Sequence, residues 1–408
     1  MAGILCAHML AMKGIDYTLI EADRICGGVT GNTTAKLTSQ HGLIYEKLLR
    51  IHGPEITRKY WKANEAAIEV YRKLAQSIDC DFKSVDHFVY SKDSLGALEA
   101  EKAALDSLGI PAELVKNTKL PFPVKGAICF RNQGQFHPLK FAAELARGLH
   151  IYENTPARAF KGNTVLTDRG RIMASKIIMT THFPLLNKHG GYFLKMYQHR
   201  SYVLALKNAQ SVEGMYLDAE QDGLSFRNDG NLLLLGGGGH RTGKQGGGWQ
   251  QLEAFADQYY PASREVYRWA TQDCITLDHI PYIGRYGRRT PNLFVATGFN
   301  KWGMSNSMVA AMLLCDLVQE KDNDYEAVFS PQRSIWHRQL LCNVWESAAG
   351  LLKLTKPRCP HLGCALKWNS QEHSWDCPCH GSRFDASGKL LNNPATGNLN
   401  GKPHPRDK

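Results

Sequence analysis

CPHLGC at positions 359–364 and CPCHGSRFD at 377–385 are the two stretches whose reading decides the C-terminal fold. They set out the pairs Cys359-x-His361 and Cys377-x-x-His380, with residues 362–376 between them. Thiolates hold ferric iron in a sulfide cluster, and neutral imidazoles in place of two of them on one iron raise its potential. Each loop offers one cysteine and one histidine, so two loops can clamp a [2Fe–2S] cluster with sulfur ligands on one iron and nitrogen ligands on the other. A tetrahedral Cys2His2 zinc site is the alternative. The Cys-x-His spacing is tighter than that of a zinc finger, and both histidines lie in glycine-bearing loops. Both features favour the cluster, with Cys359, His361, Cys377 and His380 as its ligands.

Outside this region Cys6, Cys26, Cys80, Cys129, Cys274, Cys315 and Cys342 are scattered along the chain. An odd total of 11 cysteines argues against a secreted disulfide scaffold. The 408 residues suggest two or three domains. The net charge of +11 comes from dispersed Lys and Arg, without a basic run or aromatic–basic alternation. It reads as a solvated surface, with no nucleic-acid partner, and anionic substrates or lipid headgroups as the minor reading. No apolar run reaches the ~18 residues of a membrane span, and the N-terminus lacks a secretion signal. The expected location is the bacterial cytoplasm, with peripheral membrane attachment as its variant.

The front of the chain reads as a nucleotide-binding βαβ unit. GILCAHMLAMK (3–13) is helix-forming, Gly14 ends it, and YTLIE (17–21) is a short buried strand closing on an acid. Of a G-x-G-x-x-G fingerprint only the last glycine, Gly3, is present, with Glu21 near the position that meets a ribose hydroxyl. The first strand of such a unit is therefore expected to be missing, as in an N-terminally truncated chain. ATGFNKWGMSNS (296–307) reads as strand, glycine turn and helix start. A helix N-terminus suits the electron-rich edge of a flavin, and Gly298 and Gly303 allow close backbone approach. Further helices are expected over 55–78, 95–108, 137–149, around 252–260 and from about 305 to 320. Strands are expected over 81–90, 174–181 and 292–297. Gly236–Gly239 is expected to stop the apolar run Leu232–Leu235, which would place His240 and Arg241 on a turn.

CPHLGC and CPCHGSRFD resemble the two ligand loops of Rieske proteins, in the subgroup with an extra disulfide. Asn393-Pro394-Ala395 resembles that family's cluster-covering proline loop. The resemblance implies a disulfide between Cys364 and Cys379, and a Ser382 hydroxyl bonded to a bridging sulfide. GGVTGNTTAKLTSQHG (27–42), QFHPLKFA (135–142), LDHIPYIG (277–284), the 296–307 segment and FSPQR (329–333), with Gly3 and Glu21, resemble FAD-dependent oxidoreductases of the D-amino-acid oxidase superfamily. That resemblance implies ribose binding by Glu21. Thr33, Thr34, Ala35 and Lys36 would pass the pyrophosphate and flavin ring. Ala157 would meet adenine, and Gly298, Phe299, Trp302, Gly303 and Met304 would meet the flavin edge.

The expected fold is α/β (α+β overall). A Rossmann-like FAD-binding domain carries an inserted mixed-sheet substrate domain, and a small, incomplete all-β Rieske domain follows. The oxidoreductase domain would span 1–333, with FAD-binding parts at about 1–80, 130–190 and 270–325 and substrate parts at about 81–130 and 191–270. A linker over 334–350 and the Rieske domain over 351–408 would complete the chain. The expected activity is oxidation of a small-molecule substrate, an amine or amino acid, by hydride transfer to FAD. Single electrons would then leave through the [2Fe–2S] cluster to an acceptor, a protein or a quinone. Lys36, His240 and Arg241 are the candidate catalytic groups, Lys36 beside the flavin and the other two holding an anionic substrate. The other readings are an electron-transfer or redox-sensing protein without substrate turnover, and a non-functional fragment.

Overall fold

The computed structural model describes residues 1–220, 223–353 and 355–399. Its nucleotide-binding half is built on helices. Ala2–Met12 and Tyr45–Leu74 both pack on Gly303–Leu317, and all three contribute to the largest apolar core. Gly303–Leu317 is apolar on nearly every side and is correspondingly buried all round. The 45–74 helix is interrupted at Gly53, where φ 76 and ψ 175 leave the helical region and Pro54 restarts it. The sequence predicts only the part beyond this break. Leu95–Leu108 is bounded as expected, because Ser94 accepts from the Ala97 N–H at 3.2 Å and Gly109 closes the helix at φ 68.

The parallel strands come in two separate pieces. Leu19–Ile20 pairs with Ile151–Tyr152, while Ile177–Met179 pairs with Leu293–Thr297, which in turn meets Tyr282–Arg285 antiparallel. Between them lies the start of the first helix. A Cβ on Gly3 would come 2.9 Å from Thr180 Oγ1 and 3.3 Å from a Leu19 methyl. Gly3 is thus a packing glycine.

A mixed nine-stranded sheet forms the second half, in the order Arg264–Thr276, Met196–Lys207, Leu232–Arg241, Ser225–Asp229, Met215–Asp218, Lys83–Ser91, Gly126–Gln135 and Lys36–Leu37, with Glu113–Val115 also on Gly126–Gln135. Helix Gly248–Tyr259 covers one face through Leu252 and Ala256. Here the structure corrects the sequence reading: Gly236–Gly239 does not end a strand but runs inside Leu232–Arg241. A Cβ on Gly237 would meet Leu224 at 2.6 Å, and one on Gly239 would meet His199 at 2.7 Å. The glycines are there for close approach across the sheet.

A buried ion pair fixes the loop that follows Arg264–Thr276. Arg333, from FSPQR, donates to both Asp278 oxygens at 2.6 and 2.8 Å and to the Pro281 carbonyl at 3.0 Å. Burial pushes the Asp278 carboxyl up, but the Arg333 charge outweighs it and holds the group at about 2.

The stretch expected to be linker instead holds a helix, Arg338–Leu352. Leu340, Asn343 and Gly350 face inward. The Gly350 carbonyl accepts from the Ala365 N–H at 3.0 Å, which ties the helix to the first ligand loop. Beyond it, Lys367–Asn369, Ser374–Asp376, Arg383–Asp385 and Leu390–Asn392 form a four-stranded antiparallel sheet. Its small core is made by Leu366, Trp375, Phe384, Ala395 and the four clustered cysteines.

Candidate functional site: a flavin cavity beside a cysteine–histidine cluster

A cavity of about 890 Å³ runs from the parallel strands to the wide sheet, within the usual range for a cofactor site. Glu21 and Ala157 lie together on its wall, since the Thr155 N–H donates to the Glu21 carbonyl at 2.8 Å. Thr33, Thr34, Lys36, Gly298, Phe299, Trp302, Gly303 and Met304 also line it. Gly3 and Ala35 do not. Ala35 is fully buried at φ 51, and its N–H is taken by Thr33 Oγ1 at 3.0 Å. The Gly303–Leu317 helix opens at the cavity with no side chain capping it. Its first N–H groups and positive dipole are therefore available to an electron-rich ring edge. Gly298 sits at φ 70, and a Cβ there would lie 2.3 Å from Thr276 Cγ2. The Gly298→Val protein is expected to purify without flavin, as judged by the visible absorbance of the released cofactor.

The charged groups lining the cavity include the exposed Arg24 and Arg158, the buried Lys36 ammonium and the buried Asp273 carboxyl. Burial, followed by repulsion from Arg227, pulls the Lys36 ammonium down to about 7, and its Nζ donates to the Tyr216 carbonyl at 2.9 Å. His41 is pulled by burial to about 3. It stacks on Trp302 with centroids 4.8 Å apart and contacts the Tyr60 hydroxyl at 2.5 Å, so it serves as a neutral support for the wall. Asp273 is raised by burial to about 6, against the pull of Lys301 and Arg200. Nothing local in the sequence marked Asp273 as a cavity residue, while Lys301 falls within the 296–307 turn without being singled out there.

The cluster site is built from two loops that face each other. Cys359 and Cys377 are buried and close: hydrogen bonds from Cys359, Cys364 and Cys379 draw the Cys377 thiol well below its usual range. His361 and His380 are edge-to-face at 5.0 Å. Their Nδ1 atoms are buried without hydrogen-bond partners, and the outer nitrogens show why. The Asn187 amide nitrogen donates to the Pro184 and Leu185 carbonyls at 3.2 and 3.4 Å, so its oxygen, 2.7 Å from His361 Nε2, must accept. Ser347 donates to the Asn343 carbonyl at 2.8 Å, so its oxygen, 3.2 Å from His380 Nε2, accepts as well. Both imidazoles carry the proton on Nε2 and leave an Nδ1 lone pair ready for a metal. Two buried cysteine sulfurs and a pair of imidazoles with free Nδ1 atoms fit a [2Fe–2S] cluster. The Ser382 hydroxyl acts on Cys359 and accepts from the Ala395 N–H at 3.0 Å.

Cys364 and Cys379, the pair expected as a cystine, are adjacent free thiols in this structure, with Cys379 donating to Cys364. Cys364, Cys377 and His380 also bring donor atoms within 4.8 Å of one another. Closure of a Cys364–Cys379 bond would remove that triad and leave the four expected ligands.

His240 and Arg241, expected to hold an anionic substrate, do not line the cavity. Arg241 reaches the cluster loop instead, donating to the Cys379, Pro378 and Asn343 oxygens at 3.2, 3.3 and 3.1 Å. His240 is fixed between the Tyr202 hydroxyl at 2.9 Å and the Arg241 carbonyl at 3.0 Å. The strand carrying them faces the C-terminal domain, which the local sequence did not indicate.

That contact is polar and buried. Gln198 Nε2 donates to the His380 and Asn393 carbonyls at 2.9 and 2.8 Å, and Gln272 Nε2 to the Gly381 carbonyl at 2.8 Å. Glu372 accepts from Arg200 at 3.0 Å, from Arg383 at 2.8 Å and from the Tyr202 hydroxyl at 3.0 Å. The proline loop consequently enters the flavin cavity, whose wall includes Asn393, Ala395 and Thr396.

Residues 1–317 match the model of the FAD dependent oxidoreductase (DAO) family, and residues 319–403 match that of the Rieske [2Fe-2S] domain. The chain is 34% identical to YhfW of Bacillus subtilis (strain 168), named as a Rieske 2Fe-2S iron-sulfur protein, with 96% of this chain and 90% of the relative covered. Among solved structures it is similar to glycine oxidase from Geobacillus kaustophilus, with TM-score 0.68, 18% identity and coverage of 81% of this chain and 95% of that one. It is also similar to L-proline dehydrogenase from P. horikoshii, with TM-score 0.67, 16% identity and coverage of 81% and 94%.

Proposed function

Because the chain belongs to the FAD-dependent oxidoreductase family and carries a Rieske [2Fe–2S] domain, we propose that it oxidises a small amine or amino acid and delivers the electrons singly to an external acceptor. When bound, FAD takes the hydride equivalent and the cluster carries one electron at a time. Two transfers to the acceptor, a protein or a quinone, balance each substrate oxidation.

One observation carries the relay. Ala395 lines the flavin cavity, while its N–H is bonded to Ser382, whose hydroxyl acts on the ligand Cys359. A single residue thus belongs to the walls of both sites, and a built-in cluster beside the flavin needs no second protein to receive its electrons. The chain's own groups then have definite tasks. The helix start at Gly303 and Met304 orients the ring edge. Lys36, poised near neutrality, supplies a proton or positive charge beside it. Asp273, raised to about 6, can take up or release a proton at the wide-sheet wall, and Asn393 and Ala395 keep water from the side facing the cluster.

The substrate class rests on the names of the fold neighbours, glycine oxidase and L-proline dehydrogenase, together with the sequence resemblance. Among the described residues the cavity's arginines are Arg24 and Arg158, beside Glu21 and Ala157, while its lysines are Lys36, Lys47 and Lys301. An arginine fork for a carboxylate is therefore missing from the flavin-ring wall. The test is anaerobic mixing with a panel of amines, with and without a carboxylate. Bleaching of the flavin band by at least one member is the expected result. If no member bleaches it and a reduced partner protein does, the chain is an electron-transfer protein and the proposal fails.

A further inference from the structure

The helix Arg338–Leu352 is amphipathic in an unusual sense: its apolar stripe points to solvent. Leu341, Val344, Trp345, Leu351 and Leu352 are 69, 45, 73, 46 and 80% exposed, and Trp336 just before the helix is 84% exposed. With Ala348, also exposed, these helix positions span an arc of roughly 120° at 3.6 residues per turn. The polar or small residues Asn343, Ser347 and Gly350 face inward against the cluster loops. A globular helix places these faces the other way round. An apolar patch of this extent marks a contact surface.

The charges around the stripe select the occupant. Arg338, Lys353, Lys356, Lys367 and Lys244 are all exposed at its margins. Lys244, Lys353 and Lys367 are grouped closely enough that the first two repel charge on the third. The one acid on the helix, Glu346, is already paired with Lys244 at 2.7 Å. A second copy related by a twofold axis would bring this basic rim against itself. A bilayer of anionic lipids meets it with opposite charge, takes up the leucines, and seats tryptophan rings at the headgroup level.

We infer that the outer face of Arg338–Leu352 docks on an anionic lipid surface. The helix lies in the plane of the interface, since no helix among the described residues is long and apolar enough to cross a membrane. Its inner face touches the ligand His380 through Ser347, so the docked surface is the one that covers the cluster.

The test is co-sedimentation of the full-length holoprotein with phosphatidylglycerol–phosphatidylcholine vesicles and with pure phosphatidylcholine vesicles. Binding to the anionic vesicles that weakens with salt is expected. Trp345→Glu with Leu341→Glu should reduce the bound fraction at least tenfold while flavin and cluster absorbance are retained. Lys353→Glu with Lys367→Glu, which leaves the helix's inner packing intact, should reduce binding to anionic vesicles alone. Absence of wild-type binding, or binding unchanged in both variants, overturns the inference. So does a dimer in sedimentation velocity that Trp345→Glu separates without any vesicle binding, because a second copy then covers the face. None of these outcomes depends on which substrate reduces the flavin.

Discussion

The Cys377→Ser protein is expected to keep its flavin and to lose its iron and acid-labile sulfide. Changes to groups that merely support a metal ligand cost about 10–100-fold in affinity, and Cys377 is placed as a ligand itself. Its sulfur is fully buried, and hydrogen bonds from three neighbouring thiols draw it well below the usual thiol range. A serine hydroxyl ionises far less readily and offers a hard oxygen where iron takes sulfur. Among the described residues the flavin cavity reaches this domain only through the segment Leu390–Thr396, so the visible spectrum should reduce to that of a flavin. Iron analysis against flavin content checks the result, with Cys342→Ser, at an exposed thiol, as the control. Iron retained in Cys377→Ser at the wild-type ratio would remove Cys377 from the ligand set.

Glu372→Ala is expected to lower stability by about 3–5 kcal/mol, the cost of leaving buried charges without their partner. The carboxylate lies between Arg200 of the wide sheet and Arg383 of the cluster domain, with side-chain exposures of 9, 3 and 6%. Asp376 still serves Arg383 at 2.9 Å, but Arg200 would lose its acidic partner. The weakened element is the contact between the domains, so the cluster absorbance should disappear at lower denaturant concentration than the flavin signal. Burial pushes the Glu372 carboxyl up, yet the two guanidiniums outweigh it and hold it below the usual glutamate value. With a depressed folded value, the stabilisation is complete above that usual value and is lost as pH falls through the folded one. Wild type should therefore become more like Glu372→Ala in acid, and the difference between them should be greatest near neutrality.

Much of the chemistry was legible because it is local. Metal-ligand spacing needs only a few consecutive residues, so Cys359, His361, Cys377 and His380 could be named from two loops. The helix expected over 95–108 also has those bounds, and the structure shows Ser94 and Gly109 closing its two ends. What the sequence concealed was the meeting of distant parts. Asn187 orients a ligand 174 positions away, and Arg241 grips a loop 138 positions away; neither has a sequence signature. Read alone, GGGGHR looks like a turn with a solvated arginine, because glycine marks turns more often than close strand contacts. The Arg338–Leu352 helix was read as a connector since its apolar residues combine with tryptophans and polar residues in no core-facing pattern. Its periodicity is that of a helix whose stripe faces outward.

Electron exchange between flavin and cluster within one chain is the central claim, and photoreduction of the flavin tests it without knowledge of the substrate. Under anaerobic conditions the holoprotein is illuminated with a sacrificial donor, and flavin bleaching and the cluster signal are followed together, by absorbance and by electron paramagnetic resonance. The account predicts cluster reduction that follows flavin reduction at a rate independent of protein concentration. A cluster that stays oxidised beside a reduced flavin, or whose reduction rate rises with protein concentration, would contradict it.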